Sequence, residues 1–429
     1  MRRATLLWGV FVLPGNGALF HAEAERVFPM NHTIHLKKQL RCIYLSNFFS
    51  GLRITDAVWV ALLAARGFSL WEIGLAESVY HIVSLLCEVP SGMAADLLGR
   101  KRALVAGGIL AVLSSLLMAF APGLFLICAA MGLNALSNTM LFSGTDAALT
   151  YDSLKQAGQE EQYLAVAANR SQIGMLASAL GSLASTLRRF LRFSGFYLVS
   201  ALFSSISTLA MLLLKEPVVT EAQAARSSHS LRELPGQFAQ LVRDSAAALR
   251  GCPLAAKLIA ADAFISVPCY LTKMFLQQRL VELGWPTEWL FLPLLLGGAA
   301  CVAGTEIGRR VHPHTLRRFY TVCALLVGGG TFLVGAAPAW GGILGMMLVQ
   351  GVLEVWLLHA DQRLNALISS DQRATLISVD SMAYSVLMIP ASPFVGAVGD
   401  LFGQAGAGLA LLGVLTAASG AAVLAKRRS

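Results

Sequence analysis

Long apolar stretches alternate with short polar ones along nearly the whole of this 429-residue chain. Several windows of about 20 residues carry almost no charge, which is the length a helix needs to cross the ~30 Å hydrocarbon core of a bilayer. The pattern therefore predicts an all-α polytopic membrane protein with twelve transmembrane helices. The predicted spans are residues 42–65, 71–94, 104–121, 124–147, 163–187, 195–214, 254–276, 287–308, 316–336, 339–358, 375–398 and 404–424.

One long polar segment, residues 215–253, divides the predicted spans into two sets of six. It predicts an N-terminal six-helix bundle over residues 40–214 and a C-terminal six-helix bundle over residues 254–429. Apolar residues recur within the segment at helical spacing, with charges on the other side: Leu231, Phe238, Leu241, Val242 and Leu249. This spacing indicates a cytoplasmic linker that carries an amphipathic helix on the protein or membrane surface.

Residues 1–39 are predicted to be an N-terminal cytoplasmic segment. The first 24 residues resemble a secretory signal peptide, with a basic start, a short apolar run and small residues at Ala22 and Ala24. Cleavage there would leave the following residues outside the cell, against the charge distribution described next. We therefore expect Met30 to be the true start, and a peptide map that finds residues before Met30 would contradict this.

The distribution of charge predicts the orientation in the membrane. Charged residues are only 13% of the chain, whereas soluble proteins carry about 25%. Of the 33 lysines and arginines, 26 fall on one side of the predicted membrane and six on the other. The positive-inside rule assigns the richer side to the cytoplasm, so we expect both termini there, in a bacterial plasma membrane. The cluster Arg188, Arg189 and Arg192 opposes the rule locally.

The two sets of six spans resemble each other in their loops. A basic loop follows the second span, at residues 99–102, and another follows the eighth, at residues 308–310. Long polar loops follow the fourth and tenth spans, and each ends with an arginine that opens the next helix, Arg170 or Arg373. This echo predicts two parallel repeats around a central cavity, which is an architecture of transporters.

The loop between spans two and three carries the most specific motif. Its sequence, Gly92-x-x-x-Asp96-x-x-Gly99-Arg100-Lys101-Arg102, resembles the signature loop of the major facilitator superfamily. The stretches CEVPSG, SGTDAALTYDSLKQAG and NALISSDQRATLISVDSM resemble a bacterial drug-efflux-like branch of that superfamily, and the resemblance covers about residues 40–424. It implies two six-helix bundles that alternate between inward-open and outward-open states and export a small amphiphilic molecule.

Three departures from the family pattern bear on the direction of transport. Leu97 stands where a cation usually follows the signature aspartate, and the fourth span, with GLNALSNTM, lacks the arginine of many proton antiporters. The fifth span, with GMLASALGSLAS, lacks the antiporter proline. These departures favour an alternative, import or uniport of a polar metabolite.

The signature loop predicts a gate. A carboxylate at Asp96 can pair with Arg100 and face the positive N-terminal end of a helix from the other half, which we expect to be span eleven. Gly92 and Gly99 are expected to permit close helix approach and a tight turn. The competing interpretation is that Arg100 and Lys101 only anchor the loop in the cytoplasm.

Ionisable residues within spans one and two are candidates for proton coupling or substrate binding, because they are costly to bury in a membrane. Arg53 and Asp56 are three residues apart, so a helix would place them on one face as a pair, which has a purely structural interpretation as well. In span two, Glu77, His81 and Glu88 lie on one helical stripe. Glu88 is the stronger candidate, because we expect Glu77 near the outer surface and a lone histidine is often only packed.

Two further acids lie in later spans. Asp146 ends span four, where a capping or gating role competes with proton coupling, and Glu354 lies deep in span ten. Because Trp356 is close to Glu354 in sequence, the pair is predicted to bind a cationic amphiphile by charge and aromatic stacking.

Several classes of function are excluded by missing motifs. The chain has no phosphate-binding loop, no H-E-x-x-H pattern and no serine nucleophile elbow, so we predict no enzyme activity and no cofactor. Seven scattered cysteines without a C-x-x-C pair predict neither a disulfide framework nor a metal site. Basic residues flank the spans, so nucleic-acid binding has no support. The predicted partners are a small-molecule substrate, a proton gradient and the lipid bilayer, with the chain as a monomer.

A third alternative is a membrane scaffold or receptor that transports nothing. The acids inside the spans argue against it, because a scaffold gains little from groups so costly to bury.

Overall fold

The computed structural model describes residues 35–142, 144–218, 243, 250–313, 315–367 and 373–425, without the side chains at 89, 92–94, 96–98, 142 and 373–377. Residues 1–34 of the N-terminal segment, with Met30, and most of the linker, with its predicted amphipathic helix, lie outside the described residues.

Helices form all the regular secondary structure of the described residues. Their bounds are α1 Leu36–Gly51, α2 Trp59–Ala64, α3 Leu70–Leu98, α4 Arg100–Phe120, α5 Leu124–Phe142, α6 Thr145–Gln156, α7 Tyr163–Ser182, α8 Phe193–Leu212, α9 Pro253–Glu282, α10 Phe291–Arg310, α11 Leu316–Ala336, α12 Ala339–Leu367, α13 Arg373–Leu401 and α14 Ala405–Ala425. Short 3-10 turns occur at Glu160–Gln162, Leu183–Arg189 and Thr287–Trp289.

These helices follow the twelve predicted spans. Within the described residues, ten helical segments are long and apolar enough to cross a membrane. The other two predicted spans, the first and the fifth, are interrupted rather than continuous. The first is divided into α1 and α2 by residues 52–58, and the fifth, α7, passes into the 3-10 turn Leu183–Arg189.

The break in span one corrects the prediction of a continuous helix over 42–65. Its backbone makes tight turns, with the Arg53 N–H donating to the Gly51 carbonyl at 2.8 Å. Irregular backbone at membrane depth is tolerated only where protein or a cavity supplies its hydrogen bonds. Gln277 of α9 does so here, because its Nε2 donates to the Asp56 carbonyl at 2.8 Å and its Oε1 accepts from the Val60 N–H at 3.2 Å.

The two ends of the molecule are distinguished by the loops that they carry. The linker end carries residues 99–102, 152–159, 214–218, 310–313 and 315–316, and the closed end carries residues 65–69, 283–289 and 401–404. We call α1–α8 the N-half and α9–α14 the C-half.

The largest apolar core lies towards the closed end and is shared by the two halves. Leu63, Ile73 and Phe196 of the N-half belong to the same buried cluster as Leu271 and Phe275 of the C-half. The C-half has a second core around Trp356, nearer the linker end. The shared core therefore holds the halves together at one end of the molecule.

Helices α3 and α13 form an extensive contact between the halves. A Cβ added at Gly74 of α3 would lie 2.5 Å from the Ser392 carbonyl oxygen, and one added at Gly396 of α13 would overlap the Leu70 carbonyl. Pro393 has no N–H for the Ile389 carbonyl, four residues before it, and Ser78 of α3 supplies the missing donor at 2.6 Å. Glycine permits the close approach, and a serine of one half satisfies a carbonyl of the other.

Candidate functional site

At the closed end, a carboxylate of the C-half binds the N-terminus of a helix of the N-half. Asp400, near the C-terminal end of α13, accepts hydrogen bonds from the Leu70 N–H at 2.9 Å and the Trp71 N–H at 2.8 Å. These amides belong to the first turn of α3, where the N–H groups have no partner within the helix and the helix dipole is positive. The contact joins the two halves at the closed end.

A second link at the closed end joins the two 3-10 turns. The Ser185 hydroxyl donates to the Glu288 carbonyl and accepts from the Phe291 N–H, both at 3.1 Å. Together with Gln277 and Asp400, it is one of three described residues that make polar contacts between the halves at this end. Each of these contacts must break if the halves separate at this end.

A buried polar cluster lies behind the closed end, between the halves. Glu77 and His81 of α3 are 2% and 6% exposed, and His81 Nε2 lies 3.4 Å from Glu77 Oε1. The Tyr270 side chain of α9 hydrogen-bonds to Glu77. The His81 ring lies edge-to-face with Tyr80 at 5.3 Å and Tyr384 of α13 at 5.5 Å between ring centroids. Both halves therefore contribute to this cluster.

Three predicted residues lie close to the same cluster. The charges of Arg53, Asp56 and Glu88 are all within electrostatic range of the Tyr80 hydroxyl. Glu88 is half-buried and hydrogen-bonds to Ser381 of α13, again across the two halves. Arg53 and Asp56 lie in the break between α1 and α2, so the helical spacing from which their pairing was predicted does not hold.

The position of Glu77 also differs from the prediction. Sequence reasoning placed it near the outer surface, whereas it lies buried about 10 Å along α3 from the helix start. The spacing of Glu77 and His81 was visible in the sequence. Two of the tyrosines that enclose them, Tyr270 and Tyr384, come from spans seven and eleven, and no local signal connects those spans to span two.

At the linker end, the predicted gate residues that the structure describes contact the N-half and the start of the linker. Arg100 forms an ion pair with Asp152 of α6 and donates to the Ala148 carbonyl at 2.9 Å. Gly99 has φ +101°, in the region that favours glycine, where α3 turns into α4. The side chains of Gly92 and Asp96 lie outside the described residues, so the predicted Asp96–Arg100 pair stays a prediction.

Sequence reasoning missed Glu216 at the start of the linker. Its carboxylate accepts from the Arg100 N–H at 2.8 Å and the Lys101 N–H at 2.6 Å, and so caps the first turn of α4. An acid more than a hundred residues along the chain carries no signal that it caps this helix.

Asp146 lies in a separate helix rather than at the end of span four. Gly144, with φ +89°, ends the turn before α6, and Asp146 lies in the first turn of α6. It forms an ion pair with Arg170 of α7. Both line a small cavity within the N-half, together with Asn47 and Ser50 of α1.

The environment of Trp356 contradicts its predicted role as a stacking platform for a substrate. Trp356 is fully buried, donates through Nε1 to Asp262 at 2.8 Å and stacks on Phe319 at 5.4 Å. The Trp356 side chain packs in the core of the C-half, and no local sequence pattern reveals this. Glu354 lies half-buried on the same helix, α12.

Comparisons with known proteins identify the family. Residues 43–358 match the family model of the Major Facilitator Superfamily. A solved structure of the nucleoside transporter NupG has the same fold, with a TM-score of 0.66 and 16% sequence identity, covering 91% of this chain and 97% of that one. A POT family transporter in complex with 5-aminolevulinic acid has a TM-score of 0.64 and 14% identity, covering 91% and 95%. A search of curated proteins gave no match.

The fold and the family model together define a polytopic membrane transporter. The chain belongs to the Major Facilitator Superfamily, because the family model matches well over half of its length.

Proposed function

We propose that this chain is a secondary active transporter that moves a small molecule across the plasma membrane by alternating access, driven by a proton gradient. The observation that carries the proposal is the polar cluster around Glu77 and His81, which both halves build behind a closed end. Groups that exchange protons are expensive to bury in a membrane, and a static scaffold gains nothing from them. Rocking of the halves would expose the cluster first to one side and then to the other.

The proposed orientation assigns the linker end to the cytoplasm, with both termini there. The support is the distribution of the 33 lysines and arginines, of which 26 fall on that side. The closed end then faces outwards, and in the described state the polar cluster between the halves is closed off from the exterior. The proposed moving bodies are residues 40–214 and 254–429, joined by the linker at 215–253, in a monomer.

Two groups of residues have proposed roles. The groups proposed for proton coupling or substrate binding are Arg53, Asp56, Glu88, Asp146 and Glu354. The groups proposed for the gate at the linker end are Gly92, Asp96, Gly99, Arg100 and Lys101. The support for Arg53, Asp56, Glu88 and Glu354 is their position inside the predicted spans, and for Asp146 its ion pair with Arg170 beside a cavity of the N-half. The support for the second group is its match to the family signature.

The proposed substrate is a small amphiphilic molecule that is exported, as the resemblance to drug-efflux-like facilitators suggests. A second candidate is uptake of a polar metabolite. The missing arginine in span four and the missing proline in span five favour uptake. The names of two similar structures, a nucleoside transporter and a transporter bound to 5-aminolevulinic acid, favour a polar substrate.

Proton flux in proteoliposomes tests the proposal. Vesicles with an internal pH dye would receive cationic amphiphiles, nucleosides and short peptides in turn, under an imposed pH gradient. We expect one class to move protons, and Glu354→Gln to reduce that flux at least tenfold. Glu306→Gln is the matched control, because Glu306 is exposed and pairs only with Arg309 and Arg310 of its own helix in the described residues.

The direction of coupled flow separates the two candidates. Export predicts that substrate and protons move in opposite directions, and import predicts that they move together. Substrate flux that is unchanged when the gradient is collapsed would contradict proton coupling in either case.

A further inference from the structure

We propose that Glu77 and His81 form a proton-binding site that controls the closed end: the end shuts when the pair holds a proton and opens when it does not. The link to transport rests on the proposed function above. The dependence of opening on pH does not, and it is measured without any substrate.

The pair is buried, and its histidine lacks hydrogen-bond partners among the described residues. His81 is 6% exposed, and within the described residues neither of its ring nitrogens has a hydrogen-bond partner. Buried polar groups are normally satisfied, so an orphaned imidazole is unusual. Its Nε2 lies 3.4 Å from Glu77 Oε1, and a proton on Nε2 would turn this contact into a charge-assisted hydrogen bond.

The surroundings favour a cation on the histidine. The rings of Tyr80, Tyr384 and Tyr270 lie 5.3, 5.5 and 6.3 Å from the His81 ring, between centroids. A cation over the face of an aromatic ring and within about 6 Å of its centroid is stabilised, and Tyr80 and Tyr384 lie within that distance of the His81 ring. Tyr270 also hydrogen-bonds to Glu77 and so holds the carboxylate in place.

The other ionisable groups around the pair come from several of the elements packed on α3. From α3 itself, the segment before α2, α9 and α13, they are Glu88, Arg53, Asp56, Tyr270, Tyr384 and, one turn from Tyr384, Asp380. Helix α4 also packs on α3, and its cations lie in its first turn at the linker end, at residues 100–102. Helix α5 contains no charged residue, and its titratable side chain is Cys128. Lys273 of α9 lines a separate pocket with Leu290 and Pro293.

Charge decides the direction of the effect. When His81 is neutral and the acids are ionised, the charges that act on the neighbouring Tyr80 are one cation, Arg53, and the carboxylates of Asp56, Glu77 and Glu88. Closing the apolar core over this excess of negative charge is unfavourable, because a buried charge needs a partner. One proton taken from water by His81 Nε2 makes the pair with Glu77 neutral overall. Low pH therefore favours the closed end shut, and high pH favours it open.

The experiment measures the width of the closed end as a function of pH. Spin labels on cysteines at Ala65 and Phe402, exposed residues of opposite halves, would report the distance between the halves in nanodiscs, with the native cysteines replaced. We expect the distance to increase between pH 5.5 and 8.5. Glu77→Gln removes the negative charge and should keep the end shut throughout. His81→Gln removes the proton acceptor and should leave the end open at pH 5.5.

A milder variant guards against misfolding. Tyr270→Phe keeps the ring but removes the hydrogen bond to the Glu77 carboxylate. The negative charge of Glu77 is then less stabilised, so the Glu77–His81 pair binds its proton more tightly. The midpoint of opening should move up by about one pH unit. The controls are Glu306→Gln and His312→Gln, in exposed residues near the linker end, and both should behave as the parent.

Two results would overturn the proposal: a distance that does not depend on pH in the parent protein, or a pH dependence that Glu77→Gln, His81→Gln and Tyr270→Phe all leave unchanged. Because no substrate is present, failure to find transport would not affect this result. Equally, proton-coupled transport with an unaltered pH dependence in these variants would leave the proposed function standing and remove this site.

Discussion

A single glutamine supplies hydrogen bonds to the irregular backbone between α1 and α2. Gln277 comes from the C-half and bonds both the Asp56 carbonyl and the Val60 N–H of the N-half. In the described state it therefore replaces the helical hydrogen bonds that the break lacks. If the halves separate there, water would have to take its place.

Replacing Gln277 by leucine should open the closed end. Leucine has a similar volume but no polar atoms, so one buried carbonyl and one buried N–H lose their partners when the end is shut. Each unsatisfied group costs about 1–3 kcal/mol, which corresponds to at least a fivefold loss of the shut state. The distance between labels at Ala65 and Phe402 would show this as a larger open fraction at low pH.

Gln278→Leu is the matched control for this substitution. Gln278 is the next residue of α9, and its described hydrogen bond is to Glu282 of the same helix. Equal open fractions in the two variants would show that Gln277 does not hold the halves together.

At the scale of elements, the contact between α3 and α13 links the closed end to the polar cluster. It runs from Asp400 and Leu70 at the closed end to Ser381 and Glu88 deeper in the molecule. Backbone contact at Gly74 makes this approach possible, since a side chain there would meet the Ser392 carbonyl. The two helices can therefore separate only if the whole contact between them opens.

Gly74→Ala should force α3 and α13 apart. The added Cβ would lie 2.5 Å from a backbone oxygen, which cannot rotate away as a flexible side chain can. We expect a lower thermal midpoint, with a loss of about 1–3 kcal/mol, and a wider closed end. Gly298→Ala is the control, because a Cβ at Gly298 has no described atom within 4 Å outside its own surroundings in the helix. Equal midpoints for the two variants would contradict the close contact.

Sequence patterns predict the elements well and the joints between them poorly. The spans could be predicted because about 20 apolar residues in a row have few alternatives to a membrane helix. The break after Gly51 could not, because its missing hydrogen bonds are supplied by Gln277, more than 200 residues away. For the same reason the pattern did not rank Glu77 and His81 highly, since Tyr270 and Tyr384 reach them only through the fold.

At the scale of the whole molecule, the described contacts differ between the two ends. At the closed end, Asp400, Ser185 and Gln277 all bond from one half to the other. At the linker end, Arg100 and Arg170 bond to acids of their own half. An alternating-access transporter requires such an asymmetry: its halves are bonded at one end in one state and at the opposite end in the other state.

Two distances measured under the same conditions test proton-dependent alternating access most directly. One joins labels at Ala65 and Phe402 across the closed end, and the other joins Gln159 and Arg310, exposed residues of opposite halves at the linker end. Raising the pH from 5.5 to 8.5 should lengthen the first distance and shorten the second. If both distances stay constant, or both change in the same direction, the halves do not rock and the account is wrong.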